Sequence, residues 1–306
     1  MGLDFRKLFE TSYGRLRAFR ESHRAPGLAL VAVRPGTGAG AGAGWVGAAP
    51  GTFGAAVLGH HRRADVLLSG DPAVAGRHLL VIATLVRGCE VRARVLDLRT
   101  DAGFADENGR ALRAATAEGP LFVRCGGFAL FGVVTGDGLP WPERARDGWE
   151  CLPQRVWLRE DPLGEAGERA GAAQPAGALL LRRDGRERAL AVDDAALAGG
   201  VLLGRHPRCD ARIPDLRLSR IHAVVIGDDA GVHVIDAAST NGTALPQQLG
   251  RRSLRLEPGV TLDLAGGAAS VTWRPVGAGE GAGEDEGAGD GAGAGEDESG
   301  RRSLRP

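Results

Sequence analysis

Gly204-Arg205-His206-Pro207-Arg208-Cys209-Asp210, Leu218-Ser219-Arg220-Ile221-His222-Ala223 and Asp236-Ala237-Ala238-Ser239-Thr240-Asn241-Gly242-Thr243 are three polar clusters that punctuate a series of short apolar runs. The runs surround them at intervals of roughly ten residues: Ala178–Leu181, Ala189–Val192, Val201–Leu203, Ala223–Ile226, Val232–Ile235, Leu254–Leu256, Val260–Leu264 and Ser270–Trp273. Asp184-Gly185 between the first two is a hairpin signal. No amphipathic helix is expected to interrupt the series, which reads as an all-β sandwich. In a sandwich the loops gather at the two ends, so alternate clusters can converge on one patch. The residue types there suit a doubly charged, oxygen-rich ligand. Arg205 offers a planar fork of donors, Ser219 a hydroxyl and Asn241 an amide. A phosphate group only accepts hydrogen bonds and needs such donors. Asn241-Gly242 also favours a tight turn with positive backbone angles.

In this order and spacing, the Gly-Arg, Ser-Arg-x-His and Ser-Thr-Asn-Gly-Thr clusters resemble the forkhead-associated (FHA) domain family. The resemblance covers about Pro175 to Pro275. It implies a β-sandwich that binds phosphothreonine peptides, with Arg205 and Ser219 bonding the phosphate. Arg220 and Thr240 would assist at its edge, and Asn241 would hold the peptide backbone. Gly204 and His222, with Gly242, would support the site, the glycine by close packing and the imidazole by tying loops together. The resemblance further implies a threonine-phosphorylated partner protein and a serine/threonine kinase upstream.

The same pattern occurs earlier in the chain in weakened form. Val57-Leu58-Gly59-His60-His61-Arg62-Arg63-Ala64-Asp65 lies over Leu202 to Asp210 without a gap. His78 follows Gly59 as His222 follows Gly204, and Val95 to Gly103 matches Val234 to Gly242. Leu121 to Phe131 stands for Val260 to Thr272. Scaffold positions persist: Gly59, Asp65, His78, Asp97 and Gly103. Phosphate-facing positions do not, since His60, Ala75, Gly76 and Ala102 stand for Arg205, Ser219, Arg220 and Asn241. Each lost charged hydrogen bond costs ~1.5–3 kcal/mol, which removes useful phosphate affinity. This reads as a degenerate FHA-like sandwich; an unrelated β-domain aligned by chance is the alternative.

The expected organisation is therefore two β-sandwich domains. An N-terminal helix occupies residues 1–25, the degenerate sandwich 26–158, a linker 159–175, the FHA domain 176–276 and a Gly/Ala/acidic disordered tail 277–306. Within Asp4 to Ser22, Phe5, Leu8, Phe9, Leu16 and Phe19 fall near one helix face. The Gly36–Gly44 run lacks a following helix to receive a pyrophosphate and reads as a flexible hairpin loop. Gly277 to Gly300 carries eight acidic residues, no basic one and no large apolar one.

Composition limits function further. Lys plus Arg and Asp plus Glu are 38 each, so the basic excess of a duplex-binding protein is missing and no nucleic acid partner is expected. No apolar run approaches a span of ~20 residues, so no membrane partner is expected. The start, Met1 to Lys7, carries charge where a signal peptide would place its apolar stretch, so none is expected, and Cys89, Cys125, Cys151 and Cys209 form no Cys-x-x-Cys pair. These features point to a cytoplasmic chain with no metal and no cofactor. The excess of Arg over Lys suggests a GC-rich bacterial genome. His60-His61 has no partner at metal spacing, and no catalytic signature is present, so an enzyme is not expected. The expected function is a phosphothreonine-binding signalling adaptor, with a phosphate-independent scaffold as the alternative. Thr11, beside Glu10, is a candidate regulatory phosphosite that could occupy the chain's own binding site.

Overall fold

The computed structural model describes residues 4–36, 40–86, 90–136, 141–151, 156–162, 174–228, 231–244 and 252–277. The first half runs α1 (Phe5–Glu21), β1 (Gly27–Val33), β2 (Gly40–Gly47), β3 (Gly54–Gly59), β4 (Val66–Leu67), β5 (Leu79–Leu85), β6 (Val91–Asp97), β7 (Phe104–Ala105), β8 (Ala111–Glu118), β9 (Leu121–Cys125), β10 (Phe128–Thr135), α2 (Ala145–Cys151) and β11 (Val156–Pro162). The second half runs β12 (Gly177–Arg183), β13 (Arg186–Val192), α3 (Asp194–Gly199), β14 (Val201–Gly204), β15 (Ala211–Arg212), β16 (Ala223–Asp228), β17 (Gly231–Asp236), β18 (Thr243–Ala244), β19 (Ser253–Arg255), β20 (Thr261–Leu264) and β21 (Ala269–Pro275). The fold is mostly β, as the alternation of apolar runs and turns predicts.

The strand order repeats. In the second half one sheet is β13-β12-β21-β20-β18 and the other β15-β14-β16-β17-β19. In the first half the path β2-β1-β10-β9-β7 continues through β8 into β6-β5-β3-β4, which is the same order joined at the β7–β8 hairpin. Register matches too. β3 pairs in parallel with β4 at Leu58↔Val66, and β14 with β15 at Leu203↔Ala211, the same aligned positions. An unrelated β-domain would not reproduce an uncommon parallel pair at matching residues, so the repeat is structural.

Each half has its own core, and both halves belong to one compact unit ending at Val276. A third apolar cluster joins them. Val57, Leu80, Ile82, Leu96 and Leu98 of the first half meet Leu202, Val224, Ile226, Ile235 and Ala237 of the second. These are the same five positions of the repeat, so the halves meet through equivalent faces, as two subunits of a symmetric dimer do. This explains why Leu79–Ala83 and Ala223–Ile226 are apolar without alternation. One side of each strand faces its own core and the other faces the partner sandwich.

The helix lies where its apolar stripe predicts. Asp4 caps it, its side chain accepting from Lys7 N at 3.0 Å, and Phe5, Phe9, Tyr13 and Leu16 are buried. They cover Ala29, Val31, Phe122, Ala129, Phe131 and Val133, which is why β1 is buried along its whole length.

Four expectations need correction. Residues 40–44 of the glycine run are strand, not loop. A Cβ at Gly42 would meet Leu67 O at 2.6 Å and one at Gly44 would meet Val66 Cγ2 at 2.8 Å, so glycine lets β4 lie close over β2. Residues 159–162, expected in the linker, continue β11, which pairs with β8. The short helix α3 interrupts the second-half strands; Asp193 caps it by accepting from Ala196 N at 2.6 Å. The helix α2 stands outside the expected series of elements as well. The expected tail from 278 onward, the linker from 163 to 173 and Cys89 lie outside the described residues. Among the described residues no helix is long and apolar enough to cross a membrane, and no cluster suited to a metal occurs.

Candidate functional site

The β14 terminus, the 213–221 loop and the 237–242 loop meet at one end of the second sandwich. Gly204 makes the first junction possible: a Cβ there would meet Arg220 O at 2.3 Å. Arg205 N then donates to Ser219 O at 3.2 Å and His206 N to Arg220 O at 3.0 Å. Asp210 accepts from Leu202 N at 2.8 Å and closes the β14–β15 loop.

His222 links the other two loops. It is fully buried, accepts at Nδ1 from Ser219 N at 3.2 Å, and faces Gly242 O from Nε2 at 2.9 Å. With Nδ1 accepting, Nε2 carries the proton and donates. Burial holds its pKa below the ordinary imidazole value against the Gly242 bond and Asp236, so the ring is neutral at physiological pH.

The 237–242 loop is built on Asp236. Its Oδ1 accepts from Ser239 N at 2.8 Å, and its Oδ2 from Ser239 Oγ at 2.6 Å and Thr243 Oγ1 at 3.0 Å. Ser239 Oγ accepts in turn from Gly242 N at 2.9 Å. Positive φ falls at Ala238 (56°) and Gly242 (78°) rather than at Asn241, so this is a framed loop and not the tight Asn-Gly turn expected. Sequence reading missed Asp236, Ser239 and Thr243 as the frame. The Asp-x-x-Ser spacing, mirrored by Asp97-x-x-Thr100, was the available signal.

The structure brings the expected donors together. Ser219 is buried and its hydroxyl accepts from Thr240 N at 3.0 Å, leaving its proton without an acceptor among the described residues. Asn241 Nδ2 donates to Arg217 O at 2.7 Å. Arg205, Arg220 and Thr240 are exposed, and neither guanidinium has an ion-pair partner among the described residues. Arg217 differs: it bonds Asp215 through Nη2 at 2.8 Å and Nε at 3.2 Å, and holds that carboxylate down at about 2. The patch thus carries two exposed guanidinium groups without an ion-pair partner among the described residues, a hydroxyl with a free proton and an amide bonded to Arg217 O.

The 201–265 segment matches the FHA domain family model. The chain carries an FHA domain. Among solved structures, the FHA-1 domain of Mycobacterium tuberculosis Rv1747 is 22% identical, the match covering 33% of this chain and 98% of that one, with a TM-score of 0.27. The FhaA FHA domain complexed with the intracellular domain of Rv3910 is 26% identical over 32% of this chain and 99% of that one, with a TM-score of 0.28. The yeast Dun1 FHA domain, in complex with a doubly phosphorylated peptide derived from Rad53, is 19% identical over 45% and 99%, with a TM-score of 0.29. No curated protein matches the chain.

The corresponding patch of the first half keeps the frame of the FHA domain and lacks its donors. His78 accepts from Ala75 N at 2.9 Å and faces Gly103 O at 2.6 Å. A Cβ at Gly59 would meet Gly76 O at 2.3 Å. Gly103 N donates to Thr100 Oγ1 at 3.1 Å, and Thr100 Oγ1 in turn donates to Asp97. His60, which stands for Arg205, is exposed and faces Val74 O from Nδ1 at 2.6 Å.

Thr11 lies on the exposed side of α1, its hydroxyl donating to Lys7 O at 2.9 Å and Leu8 O at 3.1 Å. It is outside the FHA site.

Proposed function

We propose that this chain is a non-enzymatic adaptor that recruits a threonine-phosphorylated protein through its FHA domain. The observation that carries the reading is the pair of guanidinium groups, Arg205 and Arg220, that have no ion-pair partner among the described residues, beside Ser219 and Asn241 within a segment that fits the family. Arg205 and Ser219 bond the phosphate, Arg220 and Thr240 lie at its edge, and Asn241 exchanges or shares its Arg217 contact with the peptide backbone. Gly204, His222 and Gly242 hold these groups in place. The partner is the substrate of a serine/threonine kinase acting upstream, in the cytoplasm, and the chain needs no cofactor for recognition.

Thr11 is the candidate regulatory position. Its phosphate would add charge within a helix and favour local unwinding. Calorimetry of the full chain with a phosphothreonine peptide selected from an oriented library, and with its unphosphorylated twin, tests the reading. Binding of the phosphorylated form alone is expected; equal affinities would favour a phosphate-independent scaffold.

A further inference from the structure

Two arginines of the first sandwich reach into the phosphate loop of the second. Arg63 Nη1 donates to Ser239 O at 2.8 Å and to Thr240 O at 2.7 Å. Arg77 donates to Ala238 O from Nη2 at 2.6 Å and from Nε at 3.2 Å. Three consecutive carbonyls of the loop are therefore held by the other half of the molecule.

These are not incidental positions. Ala238 sits at φ 56°, a left-handed conformation that is unfavourable for an L-residue, and Arg77 forks onto its carbonyl. Thr240 is gripped from both sides, its N–H on Ser219 Oγ and its carbonyl on Arg63. Turning the 239–240 peptide would break the bonds to both Arg63 and Ser219, and turning the 240–241 peptide would break the second bond to Arg63 and reorient the backbone that carries Asn241. Charge-assisted bonds to carbonyls are roughly twice as strong as neutral ones. Half-buried Arg77 has its pKa lowered by burial, and Arg63, Arg220 and Arg252 lower it further against the pull of Asp236.

We infer that Arg63 and Arg77 are positioning residues for the phosphopeptide site, so that the first sandwich, having lost its own phosphate donors, serves as the support for the loop of the second. This rests on the phosphothreonine reading of the FHA domain. Sequence alignment conceals the role, because Arg63 and Arg77 lie in segments whose own site has decayed.

The test uses the full chain as wild type, Arg63→Ala, Arg77→Ala and, as a control, Arg99→Ala. Arg99 pairs with Asp210 at 3.0 Å across the same interface without touching the 237–242 loop. With the phosphothreonine peptide selected on wild type, Arg63→Ala and Arg77→Ala should each bind on the order of ten-fold more weakly, about 1.4 kcal/mol. Arg99→Ala should stay within about two-fold while losing similar thermal stability. The deficit should persist at about 1 M salt, where long-range attraction between exposed charges is screened. Amide hydrogen exchange should quicken at residues 239–242 in the two loop variants and not in the control. Wild-type affinity in Arg63→Ala and Arg77→Ala, or a deficit that salt abolishes, would overturn the inference and leave the phosphothreonine reading standing. If wild type itself ignores phosphorylation, that reading fails, and exchange then decides the inference: unchanged protection at 239–242 overturns it.

Discussion

The loop from Asp97 to Gly103 and the loop from Asp236 to Gly242 share an aspartate that frames them, a hydroxyl that bonds the closing glycine, a residue at positive φ and a buried histidine beneath. They differ in what they present outward. The second carries Thr240 and Asn241 beside Ser219 and Arg205; the first carries Asp101 and Ala102 beside Ala75 and a His60 bonded to Val74 O. Scaffold and ligand groups are thus separable in this fold. The frame is held by buried hydrogen bonds whose loss would leave unsatisfied polar groups, whereas the exposed guanidinium groups of Arg205 and Arg220 make no bond to it among the described residues. The interface shows the same division. Arg63 and Arg208 occupy equivalent repeat positions, and each reaches the opposite loop, Arg208 contacting Arg99 O at 3.2 Å and Asp101 at 2.6 Å. Only the Arg63 contact supports a loop that carries the proposed phosphopeptide donors.

The largest expected effect separates the two halves directly. Arg205→Ala should cost ~2–4 kcal/mol of phosphopeptide affinity with the fold intact, while His60→Ala should leave affinity unchanged. Calorimetry measures both. It should also return one peptide per chain, and a second phosphate-dependent site would show that the first half had not lost function.

The histidines sharpen the shared frame. His78→Ala and His222→Ala should each lower stability by about 2–3 kcal/mol, because each leaves a buried N–H and a buried C=O unpaired. Chemical denaturation should find the two alike, and only His222→Ala should also weaken peptide binding.

A smaller effect tests the seam between halves. His233 is buried edge-on to Phe53, centroids 4.1 Å apart, and burial first, then Arg255, lowers its pKa to about 4. The equivalent residue in the first half is Arg94, which reaches Ala198 O. Unfolded His233 takes up its proton near the ordinary value of about 6.5 and folded His233 only near 4, so the unfolded state binds more protons between them. Stability is full above that window and is lost as pH falls through it. Thermal unfolding from pH 7 to 4 should show this slope, and His233→Phe should flatten it.

The smallest effect concerns Thr11. Thr11→Ala should change stability by less than about 0.5 kcal/mol and leave peptide affinity unaltered, since the hydroxyl only bonds its own helix. Phosphorylation of Thr11 that weakened a competing peptide would instead reveal self-occupancy of the FHA site.

The sequence by itself determined the sandwich, the repeat and the donors. Period and turn chemistry are local properties, Asp184-Gly185 adopts the hairpin its residues favour, at φ 49° and 73°, and three clusters in fixed order mark the FHA site. The tertiary structure alone decided what lies across the seam. Val224 and Ile226 are apolar for a partner face distant in sequence, Gly42 and Gly44 are small because β4 passes over them, and Arg63 and Arg77 hold loop carbonyls that nothing in their local sequence names. A residue's type records that it must be apolar, small or cationic; which group it meets is fixed only when distant segments pack together.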